Sequence, residues 1–327
     1  MRNYLAIIAF TTFFLKIFGL RVGAAQVNRT AQTESRCNPV GRIYGNDDPR
    51  HPYGSLLCSG EYLNAANGRK IDVFCYPIGS HLNFSGLHID VASKCGSGHE
   101  LRVQRACNFK DRSKCHYNKG PGNDGATVVL MSPFGTTLLN RRPFLSWQPV
   151  PSATNYVVEV EGVGVSWGKK TTNTSLTYPS DESALQYGNS YRIAVIAERD
   201  STVLGKGTEA VNVLPEEKAK QIQATIEQIS HLNLPPDEAA YLDLNVVYTA
   251  QGLLNDSISV LEARVKAGSH NPSVYRTLGD RYLQSGFPNL AEPKYEEAVE
   301  FAKQMSNIAE LEKAEAKLKL LARKSQN

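Results

Sequence analysis

The residues best suited to covalent chemistry are six cysteines, Cys37, Cys58, Cys75, Cys95, Cys107 and Cys115, all of which precede residue 116. An even number confined to one segment behind an apolar N-terminus reads as a disulfide framework in an oxidising compartment. The pairing stays open among all the connectivities that six cysteines allow. Zinc is the rival chemistry, and a tetrahedral site wants closely spaced Cys or His pairs. No Cys-x-x-Cys occurs, and His116 beside Cys115 is an isolated neighbour, so no metal is expected. His51, His81, His88 and His99 are scattered through the same segment, and no two flank a carboxylate at i,i+2, so they receive no role. Nucleophilic catalysis lacks its parts as well. Ser166-Trp167-Gly168 is not a Gly-x-Ser-x-Gly elbow, and no His lies between residues 117 and 230 to act as its base. The expectation is a protein that is not an enzyme and carries no cofactor.

A chain of 327 residues has room for two or three domains. Its formal charge of +4 and the lack of any long basic run give no reason to expect nucleic acid. At the N-terminus, Arg2 precedes an apolar run from Tyr4 to Leu15, and Gly23, Ala24 and Ala25 precede Gln26. That is the layout of a secretory signal over residues 1–25. Lys16 and Arg21 interrupt the apolar run before the ~20 residues a membrane span requires. Either the segment is cleaved, or it is retained as an anchor and is then the chain's one membrane contact. The location implied is periplasmic or extracellular.

Three further segments would position any site. Residues 26–125 hold the cysteines among many turns, with Ile71/Val73/Cys75, Leu87/Ile89/Val91 and Leu101/Val103 each reading as one face of a strand. This is a small disulfide-stapled β domain, closed by a Gly- and Asn-rich linker over 116–125. Residues 126–214 alternate again. Leu145 and Trp147 are taken as the buried face of one strand, because Trp147 has the most apolar area to lose to water, and Tyr156, Val158 and Val160 as that of the next. Trp167 reads as core in preference to an exposed stacking surface. Residues 215–327 turn helical. Pro215 opens a helix striped by Ala219, Ile222, Ile226 and Ile229, and Pro235-Pro236 and Asn271-Pro272 open two more. A last helix, from about Ile308 to Arg323, carries Leu311, Ala314, Leu318 and Leu321.

Within the helical part, Tyr275, Leu278, Gly279, Tyr282, Gly286, Ala291, Tyr295 and Ala298 resemble the signature of a tetratricopeptide repeat. One period of about 34 residues earlier stand Tyr241, Leu244, Asn245, Tyr248, Gly252, Ser257, Leu261 and Arg264, which keep the aromatic, Leu, Tyr and Gly positions and lose the second Gly and last Ala. The resemblance implies a helical array closed by capping helices, with a partner peptide on the face formed by the first helix of each pair. By register that face offers Ser273, Arg276, Asp280, Leu283 and Gln284, with Leu242, Val246, Thr249 and Ala250 on the preceding pair, although Leu242 and Val246 read rather as receiving the preceding helix, Ala219 to Ile229. Arg276 would meet a carboxylate of the partner.

Pro143-x-Leu145-x-Trp147, Tyr156-x-Val158-x-Val160 and Leu185-x-x-Gly188-x-x-Tyr191 are similar to a fibronectin type III module, which implies a β-sandwich in which the Tyr191 hydroxyl bonds backbone. Leu57, Gly60 and Glu61 open a stretch similar to FecR-like envelope domains. The order of segments, with RRPFLSWQPVPSATNYVVEVEG and LEARVKAGSHNPSVYRTLGDRYLQSG, resembles secreted or periplasmic proteins of cyanobacteria. The implied function is a non-enzymatic adaptor or scaffold of the cell envelope that binds an envelope protein or peptide through the helical repeats, with self-association possible. The alternative is recognition of cell-wall polysaccharide or a small ligand by the disulfide β domain, the helices then mediating oligomerisation.

Overall fold

The computed structural model describes residues 38–45, 50–65, 68–96 and 127–325. The expected signal (1–25), Leu101/Val103, the linker 116–125, and Cys37, Cys107 and Cys115 lie outside them.

The N-terminal β unit is organised by a strand that carries two different faces. β1 (Pro39–Gly45) lies between β2 (Leu56–Cys58) and β4 (Ile71–Cys75), with β5 (Ser80–Phe84) beyond, in an antiparallel sheet ordered β2-β1-β4-β5. Because successive side chains alternate across a sheet, Ile43, Leu57, Val73 and Cys75 point to one side and join the unit's own core. Arg42, Tyr44, Leu56, Phe74 and Tyr76 carry the other side, whose apolar members pack against helices. A ribbon of β3 (Tyr62–Ala65) and β6 (Gly86–Asp90) and a short helix α1 (Val91–Cys95), whose first turn Asp90 caps by accepting from Ser93 N, complete the unit. Cys75 is joined to Cys95 by a disulfide, and Cys58 is disulfide-bonded as well.

Ile71, Val73 and Cys75 are buried as expected, but Leu87, Ile89 and Val91 do not share a face. Leu87 is 71 % exposed while Ile89 is buried, and Val91 belongs to α1. The pairing slips between Leu63 and Ala65, and His88 opposite takes φ 53°, so the strict period of two is lost there.

Residues 127–214 form two sheets around a common core. One is ordered β11 (Val165–Thr171), β10 (Asn155–Gly162), β13 (Ser190–Arg199), β14 (Thr202–Val213), β8 (Thr137–Leu138), and the other β12 (Ser175–Leu176), β9 (Leu145–Trp147), β7 (Leu130–Ser132). Leu145 and Trp147 from the smaller sheet meet Val158, Val160, Ile193 and Val195 from the larger, while Phe144 is left half exposed. Trp167 is buried, and its indole N–H donates to Tyr178 Oη. The Tyr191 hydroxyl accepts from Gln186 N at 2.8 Å and donates to the Val163 carbonyl at 3.0 Å, a backbone bond of the kind the resemblance implied.

The remainder is helical: α2 (Glu216–His231), α3 (Pro236–Glu238) running through a π-helical stretch Ala239–Leu244 into α4 (Asn245–Ala250), then α5 (Leu254–Lys266), α6 (Pro272–Gln284), α7 (Pro288–Gln304) and α8 (Ile308–Ser325). Consecutive helices pack as neighbours from α4 to α8, and α2 covers the π stretch and α4. Small residues set the closest approach. A Cβ on Gly279 would lie 2.7 Å from Tyr295 Cε1, so only hydrogen fits under that ring. In the preceding pair the equivalent position is Asn245, and its buried amide replaces contact by bonding, accepting from Ser257 Oγ at 2.9 Å. Among the described residues no helix is long and apolar enough to cross a membrane.

All described residues belong to one compact unit, and the helices join its parts. Phe134, from the loop after β7, packs against Tyr282 and Phe287 with ring centroids 5.7 and 5.6 Å apart, and its N–H is accepted by Asn255 Oδ1.

Candidate functional site

The partner-facing residues expected from the repeat register fall into two neighbourhoods, one around the partly buried Arg276 and one beside the buried Arg42. The first is on α6. Asn271 caps this helix by accepting from Ser273 N, and Pro272 sits in its first turn, which fixes where the register of Ser273, Arg276, Asp280, Leu283 and Gln284 begins. Positions 273, 276, 280 and 284 then share a face by helical spacing.

Arg276 and Asp280 are brought together, Nη1 to Oδ2 at 3.0 Å. The carboxylate expected from a partner is supplied within the chain: Arg276 Nε donates to Glu310 Oε2 of α8 at 2.6 Å. Asp280 also accepts from Lys317 Nζ at 2.9 Å and Tyr295 Oη at 2.9 Å, while Lys313 bonds Glu310 at 2.8 Å. Burial opposes charge on Arg276, Asp280 and Glu310, yet the attraction of their counter-charges wins. Arg276 is held above its ordinary pKa, and Asp280 and Glu310 below theirs. The network ties α6, α7 and α8 together. Ser273 and Leu283 are buried, Leu283 in the core beside Phe134, and Gln284 accepts from Arg281 Nη1.

The second neighbourhood was not foreseen from sequence. On β1, Arg42 is 2 % exposed, and it faces Asp243 of the π stretch, which is fully buried. Its Nε and Nη2 donate to Asp243 Oδ1 and Oδ2 at 2.8 and 3.0 Å, Nη2 also to Glu238 Oε1, and Nη1 to the Gly54 carbonyl at 2.7 Å. Tyr76 Oη adds a donor to Asp243 at 2.8 Å. Burial works against the Arg42 charge, but Tyr76, Asp243 and Glu238 outweigh it and hold the guanidinium protonated. Burial pushes the Asp243 carboxyl up, opposed by Arg42 and Tyr76.

Around this ion pair the sheet face presents Tyr44, Phe74 and Tyr76 to Ile222, Ile229, Val246 and Val247. The turn Tyr76–Gly79 rests on Val246 and Ala250, two of the positions assigned to the first repeat's partner-facing side. Tyr44 Oη and His81 Nε2 are buried here with no hydrogen-bond partner among the described residues, although His81 Nδ1 lies 3.1 Å from Asp72 Oδ1. The legible signal was slight: an aspartate within the apolar helical run DEAAYLDLNVVY, and an arginine inside a short strand containing two glycines.

Among the described residues no group of His, Cys, Asp and Glu is placed to hold a metal ion. No protein-family model and no curated protein sequence matches the chain.

Proposed function

We propose that this protein is a non-enzymatic adaptor of the cell envelope, exported by residues 1–25, whose helices present a surface to a partner protein or peptide. In this reading residues 126–214 are a fibronectin type III-like sandwich and residues 215–327 a tetratricopeptide-like array, with α2 and α8 as its caps. The observation that carries it is the use of the helices as a hub. The β unit docks on α2, the π stretch and α4, and the loop after β7 docks on α5, α6 and the α6–α7 turn, so three modules hold fixed positions. A disulfide between Cys75 and Cys95 suits an oxidising compartment.

Crosslinking in the native envelope tests the reading on the intact chain. Ending the chain at Leu214 would strip cover from Tyr44, Phe74 and Tyr76 and create an adhesive surface, so a point change is the cleaner comparison. Gln284→Trp fills the α6 face and keeps every ion pair of the Arg276 network, at the cost of the bond that Gln284 accepts from Arg281. A protein captured by the native chain and lost in this variant supports the adaptor. Equal capture by both removes the α6 face as the recognition surface.

One observation favours the second reading. Tyr62 and His88 stack at 4.1 Å with an interplanar angle of 16° on the β3–β6 ribbon, Tyr62 is 39 % exposed and Leu87 beside it is 71 % exposed. An exposed aromatic platform of this kind would suit the apolar face of a sugar in wall polysaccharide. Co-sedimentation with purified cell wall, lost in Tyr62→Ala, would establish it. No sedimentation of the native protein would end it.

A further inference from the structure

We propose that the β4–β5 hairpin is a displaceable plug seated on the binding face of the first helix pair, so that the face fits a tight β-turn led by an aromatic residue and ended by glycine. The inference rests on the adaptor reading for its purpose, and its geometry is independent of any external partner. Repeat register assigns Leu242, Val246, Thr249 and Ala250 to the partner-facing side. There the turn Tyr76-Pro77-Ile78-Gly79 makes backbone contact: a Cβ placed on Gly79 would stand 2.2 Å from Ala250 Cβ and 3.6 Å from the Val246 carbonyl oxygen. Gly79 also takes φ 59°, the left-handed region that favours glycine. Tyr44, Phe74 and Tyr76 cover Val246, Val247 and the partly buried Leu242.

Two features set this contact apart from the cores on either side of it. First, the β unit keeps its own interior of Ile43, Leu57, Leu63 and Val73, and the Cys75–Cys95 disulfide, so lifting it from the helices leaves that interior intact. Second, the apolar contact encloses polar groups that are incompletely bonded. Arg42 and Asp243 give up hydration to meet, and Tyr44 Oη and His81 Nε2 are buried without partners among the described residues, so water compensates all four groups when the unit lifts. A competing partner must supply a turn that fits over Ala250, which the hairpin sequence itself provides, while the cation for Asp243 and Glu238 stays with Arg42 of β1.

The test uses full-length protein and a labelled, head-to-tail cyclised peptide of residues 71–84 with serine at the Cys75 position, titrated by fluorescence anisotropy. Gly79→Val forces the native hairpin off Ala250. It is expected to bind the peptide at least about tenfold more tightly than the native protein, and adding Ala250→Arg should abolish that binding. Hydrogen exchange should accelerate at Asn245–Ala250 and stay unchanged at Tyr275–Leu283. Equal affinity in native and variant protein, or binding by neither, overturns the proposal. If Gly79→Val does not fold, Arg42→Gln loosens the same contact from β1 and is read by the same titration. Because no envelope protein enters this assay, a failed adaptor appears as empty crosslinking with peptide binding intact, and a failed plug as the reverse.

Discussion

Replacing Arg42 by methionine isolates the energetics that join the β unit to the helices. The change removes four donated hydrogen bonds, two to Asp243, one to Glu238 and one to the Gly54 carbonyl, and leaves Asp243 fully buried with Tyr76 as its remaining donor. Uncoupling one member of a buried ion pair costs about 3–5 kcal/mol, because the survivor keeps its desolvation penalty without its counter-charge. Tyr76 tempers that loss, which places the expectation near the lower bound, ~3 kcal/mol. At roughly 2–4 °C per kcal/mol for a unit of this size, the melting transition that reports β-unit docking falls by about 6–12 °C.

The variant also has a signed pH dependence. Burial already raises the Asp243 carboxyl, and without Arg42 it rises further. A carboxyl with a raised folded pKa contributes stability in acid, and that contribution is lost as pH rises through the folded value. The deficit of Arg42→Met is therefore small in acid and grows toward neutral pH. The double variant Arg42→Met/Asp243→Leu removes both charges and should recover most of the loss. Guanidinium unfolding read together with hydrogen exchange at Tyr44 and Val246 measures each term. A single variant within about 1 kcal/mol of the native protein, or a double variant as unstable as the sum of the singles, refutes the reasoning.

Three further outcomes follow from the geometry. Gly279→Ala puts a methyl group under the Tyr295 ring and should cost about 1–3 kcal/mol in chemical denaturation, whereas an alanine at exposed, ordinary-φ helix surface would not. Asp256 is raised to about 6 by burial, so its neutral form contributes stability below the ordinary carboxylate range that is lost as pH rises through about 6. Asp256→Asn should flatten that fall and be more stable than the native chain at pH 7 by on the order of 2 kcal/mol, read from urea midpoints across pH. Opening the Cys75–Cys95 bridge by Cys95→Ser frees a loop of sequence separation 20 and should cost ~3 kcal/mol, seen as early exchange of β4 and α1 amides.

Local periodicity was enough to place much of this molecule. Alternation put Leu145 and Trp147 inside and Phe144 outside, and the spacing of Tyr275, Leu278 and Tyr282 with Gly279, Ala291 and Ala298 marked where two helices meet. Cysteine crowding indicated disulfides. These features depend on neighbours in the chain, so the pattern itself records which side is buried.

What covers a buried side is not a local property, and only the tertiary structure decided it. Arg42 and Asp243 are 201 residues apart, and no period in either segment refers to the other. Arg276 reads as a free groove cation until α8 brings Glu310 to it. Ala250 reads as part of a partner surface until the turn at Gly79 is laid on it. Leu87 left its expected face because it lies inside the irregular pairing between Gly86 and Ile89 of the β3–β6 ribbon, where the period of two is broken. Sequence determined the buried faces; the long-range packing of charged and apolar groups determined which parts of the chain those faces meet, because Coulombic and hydrophobic contacts depend on distance in space and not along the chain.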